Sequence, residues 1–439
     1  MKKYTTAMII LALAAAILLF FFRSESESID TLIHAPAQES GNGQIWIALE
    51  KSAGGKYILK TPTDGAHRSA LVYEDLDADG EDEVIVFYSA ETAKDSVCMQ
   101  VFTRENDGWK ATAGIKSGFG EIKQVEFADL DGNGKLEIVA GWGLQKNNIL
   151  QQISVYRYNK SNVFLDEIFD EKYLSFGLFD LNLDGRSEIV LVTSDITTEP
   201  VVQKLTLFSY SGSSFKSVGT IKVDPSITTV SSLNFDYYKR TASSRVYIDG
   251  YTADGLLSTD LILFDSAIGK LERCYIDRET MGAISKRNIN VFCSDINSDG
   301  MVEIPTSKNV EHNGTAFSLI EWKALFKDNL STVCYYYDNR ENGYFFSIPE
   351  IIRDISYPSV SADGKRLGFY LSEPSAEDEE DAGLLFEIVF ETAGTVNLIS
   401  TQYRFIGSHR RTDFYCRITD FASNIGITKK LISSSVIFV

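Results

Sequence analysis

Four segments of this 439-residue chain superimpose without a gap, and each carries acids or amides at one fixed spacing. They share the pattern D-h-[DN]-x-[DN]-G-x-x-E. Its members are Asp75, Asp77, Asp79 and Glu83; Asp129, Asp131, Asn133 and Glu137; Asp180, Asn182, Asp184 and Glu188; and Asp295, Asn297, Asp299 and Glu303. Each segment then runs into an apolar stretch such as Val84-Ile85-Val86-Phe87 or Ile189-Val190-Leu191-Val192. An internal repeat constrains the fold more than any composition figure, because each copy must be one supersecondary unit that buries its apolar face against the next.

Oxygens at positions 1, 3 and 5 of a tight loop converge on one point, and glycine at position 6 permits the sharp turn that keeps them converging. Calcium is a hard cation that takes about six to eight oxygens, and it fits such a ring when a backbone carbonyl and a later carboxylate complete it. An EF-hand would carry its last acid at position 12 and continue as a helix. Here position 12 is Val86, Ala140, Leu191 or Thr306, the acid stands at position 9, and the chain continues as strand. A calcium loop inside a β-hairpin replaces the EF-hand reading. A single copy could equally be an Asx-rich turn; four copies with the same Gly and Glu favour the metal. The expectation is up to four structural calcium ions, the last loop being the weakest because Pro305 soon interrupts its strand.

The first acids fall at 75, 129, 180 and 295, so the steps are 54, 51 and 115 residues, and the last is about two periods. A decayed copy is therefore expected near Asp236, with Arg240 in the position-5 slot. Either that guanidinium replaces the missing cation or the copy is an ordinary hairpin. Between the loops lie further alternating pairs, such as Val97 to Arg104 with Trp109 to Ile115 and Ile153 to Tyr158 with Val163 to Ile168. Two strands around each loop plus a hairpin make the four strands of a propeller blade. The fold expected is mainly β: a β-propeller of about five to six four-stranded blades, plus a small C-terminal α+β domain. Gln44 to Lys60 reads as an outer hairpin that would let the two chain ends close the ring by sharing a blade.

These segments resemble the FG-GAP/VCBS class of repeats, found in integrin-alpha-like propellers and in many bacterial surface proteins. The resemblance covers Gln44 to Tyr337 and implies that the acids and amides at positions 1, 3, 5 and 9 are the calcium ligands. Phe119-Gly120 alone lies at the family's distance before a loop, and the Gly-Ala-Pro element is reduced to Ala140-Gly141-Trp142-Gly143 or absent. Integrin-type ligand binding is therefore not implied, and a calcium-stiffened β scaffold is.

The remaining totals bound the function. An excess of 61 acidic over 42 basic residues gives a formal charge of −19, which repels nucleic acid. The five cysteines have no C-x-x-C spacing, which argues against a zinc cluster, and they read as small buried hydrophobes with one bridge possible. The four histidines stand in no catalytic motif. Lys2 and Lys3 precede an apolar run from Tyr4 to Phe22, about the length that spans a bilayer. Without a small-x-small cleavage site, residues 1–22 favour a retained signal anchor over a cleaved signal peptide. Residues 23–43 read as a flexible stalk, 44–337 as the propeller and 338–439 as the C-terminal domain.

That last segment offers strands at Leu367 to Leu371, Leu384 to Phe390 and Asp413 to Ile418, an acidic hairpin tip from Glu373 to Asp381, and a short helix capped by Thr428. The competing reading makes Tyr357 to Leu371 one more blade. The function expected is that of a membrane-anchored extracytoplasmic, non-catalytic scaffold that binds a surface glycan or protein. The alternative is a polysaccharide lyase or hydrolase on the same scaffold, for which no catalytic residue can be named.

Overall fold

The computed structural model describes residues 42–438, except 107, 144–150, 162, 196–200, 240–242, 277, 313–314, 328, 354–355, 362–363, 372–382 and 394–401. Among the described residues, six antiparallel sheets of four or five strands follow one another along the chain, with a two-stranded ribbon, Tyr275–Ile276 and Glu279–Thr280, between the fourth and the fifth. The first, over 57–116, has its inner strand in two pieces, Tyr57–Leu59 and Leu71–Glu74, both paired with Glu83–Ala90. The second to fourth, over 121–172, 175–222 and 227–273, are four-stranded meanders. The fifth covers 304–347 and gains Val436–Phe438 at its edge. The sixth covers 357–418, with its last two strands exchanged in order.

Each sheet packs face to face on the next. Ile85 and Phe87 of the first share a core with Ile138 and Trp142 of the second; Val139 and Val155 of the second meet Ile189 and Leu191 of the third. Val190 and Leu207 meet Val246 and Ile262 of the fourth, and Tyr247 and Leu261 meet Ile304 and Leu325 of the fifth. This serial stacking of four-stranded sheets is the architecture of a β-propeller. It also explains the unbroken apolar runs after the loops: Val84, Ile85, Val86 and Phe87 are all fully buried because both faces of their strand are covered. Fully burying each such side chain contributes about 1.5–3 kcal/mol.

Gln44 to Lys60 is not a hairpin. Helix α1 (Asn42–Ala53) takes most of it. Ile45 and Leu49 are buried, while Ile47 between them is 70 % exposed, so the helical i, i+4 spacing prevails over alternation. The buried stripe lies on Val84, Val86, Tyr88 and Phe102, the face of the first sheet turned away from the second. That face, which a shared closing blade would need, is covered by α1.

Four short helices follow: α2 (Met281–Ile284), α3 (Glu350–Arg353), α4 (Asp420–Asn424) and α5 (Lys429–Ser435). Thr428 caps α5, its Oγ1 accepting the Leu431 N–H at 3.2 Å. The expected boundary at 337/338 falls inside the strand Asn329–Asn339, to which Tyr344–Ser347 is paired. Tyr344 and Phe346 of that fifth sheet share a core with Leu367, Phe369 and Phe386 of the sixth. No disulfide joins any of the five cysteines, so the one bridge allowed by the sequence is not formed. Among the described residues no helix is long and apolar enough to cross a membrane; the expected anchor, 1–22, the expected stalk as far as residue 41 and the acidic tip from Glu373 to Asp381 lie outside them, and the last two residues of the expected stalk begin α1.

Candidate metal centres along one rim

The four acidic loops have one geometry. The position-1 carboxylate accepts two backbone N–H groups from positions 5 and 6: Asp79 and Gly80 to Asp75 at 3.2 and 3.0 Å, and Asn133 and Gly134 to Asp129 at 3.1 and 2.8 Å. Asp184 and Gly185 donate to Asp180 at 3.1 and 2.9 Å, and Asp299 and Gly300 to Asp295 at the same two distances. Two left-handed residues make this possible. Position 6 is always glycine, with φ between 82° and 89°, and position 4 is Ala78, Gly132, Leu183 or Ser298, with φ between 58° and 79°. The left-handed position 4 has no signature in the sequence, because three of its four residues are not glycine.

Position 9 is the buried end of each loop. Glu83, Glu137, Glu188 and Glu303 are almost wholly buried. Their Oε2 atoms accept the N–H of the position-2 residue, Leu76, Leu130, Leu181 and Ile296, at 3.1, 3.0, 2.8 and 3.1 Å. Burial pushes all four carboxyls up. Glu83 reaches about 7, with the Asp77 charge adding to burial, and Glu303 reaches about 7, with Asp299 and Asp295 adding. Each Oε1 is left for the centre of its loop.

A different nitrogen meets that centre in each case. In the first loop it is Lys160, from the turn after the second-sheet strand Gln152–Asn159, with Nζ 2.9 Å from Asp77, 3.8 Å from Glu83 and in contact with Asp79. In the second it is Arg157, paired with Asp131 and lying 3.4 Å from Glu137. In the third and fourth it is the loop's own amide: Asn182 Nδ2 donates to Glu188 at 2.9 Å, and Asn297 Nδ2 to Glu303 at 3.3 Å. One oxygen has none of these partners. Asp77 Oδ1 is enclosed and without a hydrogen-bond partner, which costs free energy unless a cation meets it. Ligand oxygens of Asp75, Asp77 and Glu83, and those of Asp129, Asp131 and Glu137, lie within 4.8 Å of one another. These donor sets, all oxygen with carboxylates dominant, fit a hard cation such as calcium.

The fourth sheet corrects the sequence-based expectation of a decayed loop. Glu83, Glu137, Glu188 and Glu303 stand opposite Glu74, Ala128, Phe179 and Ser294. In the fourth sheet the corresponding pair is Asp236 opposite Arg245. Asp236 is thus a strand residue just ahead of the loop, not its first ligand, and Arg245 takes the position of the glutamate. Its guanidinium is buried, with Nε and Nη2 at 2.5 and 2.6 Å from Asp236 and Nη1 donating to the Leu325 carbonyl at 2.8 Å. Arg240, proposed for this role from the sequence, lies outside the described residues.

Position 8 ties three of the units to the one before. The Leu136 N–H donates to the Leu76 carbonyl at 3.2 Å, Ser244 Oγ to the Leu181 carbonyl at 2.6 Å, and the Val302 N–H to Asp236 Oδ2 at 2.7 Å. These bonds tie the second unit to the first, the fourth to the third and the fifth to the fourth. Pro305 is accommodated in the strand Ile304–His312, whose inner side carries only the Ser294–Glu303 bridge.

Residues 75–140, which contain the first two loops, match the family of FG-GAP-like repeats. The chain carries an FG-GAP-like repeat. No curated protein matches it. Solved structures similar to it include a putative 6-phosphogluconolactonase from Bacteroides uniformis, at 12 % identity and a TM-score of 0.31, covering 75 % of this chain and 93 % of that one. Sqt1 of Saccharomyces cerevisiae is similar at 11 % identity and a TM-score of 0.30, covering 83 % and 98 %.

Proposed function

We propose that this FG-GAP-repeat protein is a non-catalytic, calcium-stiffened scaffold, held at a membrane by residues 1–22, that presents its propeller surface to an extracytoplasmic glycan or protein. The observation that carries the calcium reading is Asp77 Oδ1, an enclosed carboxylate oxygen with no partner, in a loop whose geometry recurs three more times. The ligands are Asp75, Asp77, Asp79 and Glu83 and their counterparts in the other three loops. Calcium acts by mass action on the folded state, and each site at about 100 times its Kd contributes about 2.7 kcal/mol.

Support for a non-catalytic role comes from the buried acids outside the loops, most of which are held by an arginine, while Asp224 accepts from the Ser226 N–H and hydroxyl. Asp249 pairs with Arg287 at 2.9 Å, Asp260 with Arg273 at 2.9 Å and Glu387 with Arg417 at 2.5 Å. A lyase or hydrolase needs acids open to a substrate.

Calorimetric titration of the full chain with calcium tests the reading. Uptake of up to four ions with a rise in Tm is the expected result, and no uptake in the millimolar range overturns it.

A further inference from the structure

In two of the loops a cation supplied by another part of the chain reaches the buried glutamate, whereas in the third the loop's own Arg186 pairs with Asp184 at the rim. Lys160 lies 81 residues from Asp79 and belongs to the second sheet, yet its ammonium sits among Asp77, Asp79 and Glu83 of the first. The bond to Asp79 and the Asp77 carboxylate hold the ammonium well above the usual lysine range, and the same bond holds Asp79 below the usual carboxylate range. Arg157 reaches Asp131 and Glu137, and its other contact is Tyr210 of the third sheet, whose hydroxyl lies 3.3 Å from Nη2 and whose ring the guanidinium overlies at 5.7 Å. The third and fourth loops differ. Their centres are met by an uncharged carboxamide, whose oxygen accepts the Asp184 or Asp299 N–H at 2.8 or 2.9 Å, so that only a small shift of a neutral group, and no charge, has to make way for a metal. Arg186 pairs with Asp184 alone and does not reach Glu188.

We propose that Lys160 and Arg157 are built-in competitors of the metal: calcium enters the first and second loops only by expelling them, whereas the third and fourth loops fill by a small local shift of the amide. The inference rests on the calcium reading above and adds a residue-level control of affinity to it. It also makes calcium in the first loop a modulator of the contact between the first two sheets, because the expelled ammonium is a charged tie from the second sheet to that loop beside the Leu136–Leu76 backbone bond. Arg157 keeps its stacking partner Tyr210 when it leaves. The Lys160 side chain is already 44 % exposed, so solvent is open to it when it leaves.

The test uses the full chain and calcium chloride. In the wild type, the Lys160 amine is acylated with a water-soluble succinimidyl ester at rising calcium, and the modified peptide is measured by mass spectrometry. Faster labelling as calcium rises is expected; labelling that does not change while calorimetry shows four ions bound overturns the proposal. In parallel, Lys160→Gln and Arg157→Gln are titrated. Each variant is expected to tighten one calcium site by about tenfold, the effect of one unit charge 3 Å away even at the screening of bulk water. Binding constants identical to those of the wild type overturn the proposal and leave the calcium reading standing. Absence of uptake in wild type and variants alike overturns both.

Discussion

The loop of the fourth sheet and the four acidic loops occupy the same place in the ladder and neutralise charge in opposite ways. Where the others bury a glutamate that needs a cation, the fourth buries Arg245, and the compensating Asp236 sits directly across the strand pair. On the calcium reading, one arrangement leaves stability open to the concentration of an added ion, and the other builds the cation into the chain. A propeller rim can therefore mix metal-dependent and metal-independent units while keeping one backbone register.

The largest effect expected from this contrast is at the fourth sheet. Arg245→Met leaves Asp236 buried with Tyr247 Oη and the Val302 N–H but without its counter-charge, a loss of about 3–5 kcal/mol. Denaturant unfolding measures it, and the loss is expected to be equal with calcium and with chelator. The double variant Arg245→Met with Asp236→Leu should recover most of the loss. A cost below about 1 kcal/mol for the single variant would break the comparison, because the pair would then not stand in for a metal.

Glu83→Gln and Glu137→Gln should behave in the opposite way. Each removes a ligand, so the stabilisation by calcium falls by up to about 2.7 kcal/mol at 100 times the wild-type Kd. In chelator the same variants are expected to be close to neutral, since a carboxylate disfavoured by burial is removed together with its contact to Lys160 or Arg157. Paired melting curves with and without calcium give both halves of the prediction.

The pH dependence should separate the two states further. In the metal-free protein, Glu83 and Glu303 have folded-state pKa values of about 7, above the ordinary carboxylate value of 4.5. A raised pKa means that the folded state holds the proton more tightly than the unfolded chain does. That contribution is fully present below about pH 4.5 and is lost as pH rises to about 7. Melting temperature in chelator should therefore fall across this window, while calcium affinity rises over it because the proton competes with the metal. A metal-free melting temperature that rises from pH 5 to pH 7.5 would contradict the buried-glutamate account.

The acidic loops were legible in the sequence because their ligands are close together and the glycine and glutamate keep their offsets through all four copies. The strands after them were legible for the same reason: Val84 to Phe87 can be apolar without interruption only when both faces are covered. What escaped was set by register and by distance. The gap-free alignment placed Arg240 in a metal slot, but in the fourth sheet Tyr237 and Tyr238 pair with Ser244 and Ser243 and extend the ladder. The guanidinium that matters is thus Arg245. Lys160 and Arg157 lie 81 and 26 residues from the acids they touch, so no local pattern could join them. Helix α1 was read as strand because Ile45, Ile47 and Leu49 satisfy both alternation and an i, i+4 spacing; only the burial of the first and last decides between them.

The smallest effect concerns position 4, where the second and third loops differ in a way that links them. Leu183 is exposed and holds φ at 58°, a conformation that costs an ordinary residue about 1–2 kcal/mol. Leu183→Gly relieves that strain but adds unfolded-chain entropy of about 0.5–1 kcal/mol, so a net gain of about half a kcal/mol is expected. The equivalent residue of the second loop is already glycine, and the third loop uses it: a Cβ on Gly132 would lie 2.8 Å from Arg186 Cδ. Gly132→Ala must therefore both strain its own backbone and push Arg186 from its place beside Asp184. A loss of about 1–2 kcal/mol is expected, together with an altered calcium affinity at the third loop. If Gly132→Ala changes stability without touching third-loop affinity, the loops are independent sites that happen to be adjacent, and the rim does not act as a connected row.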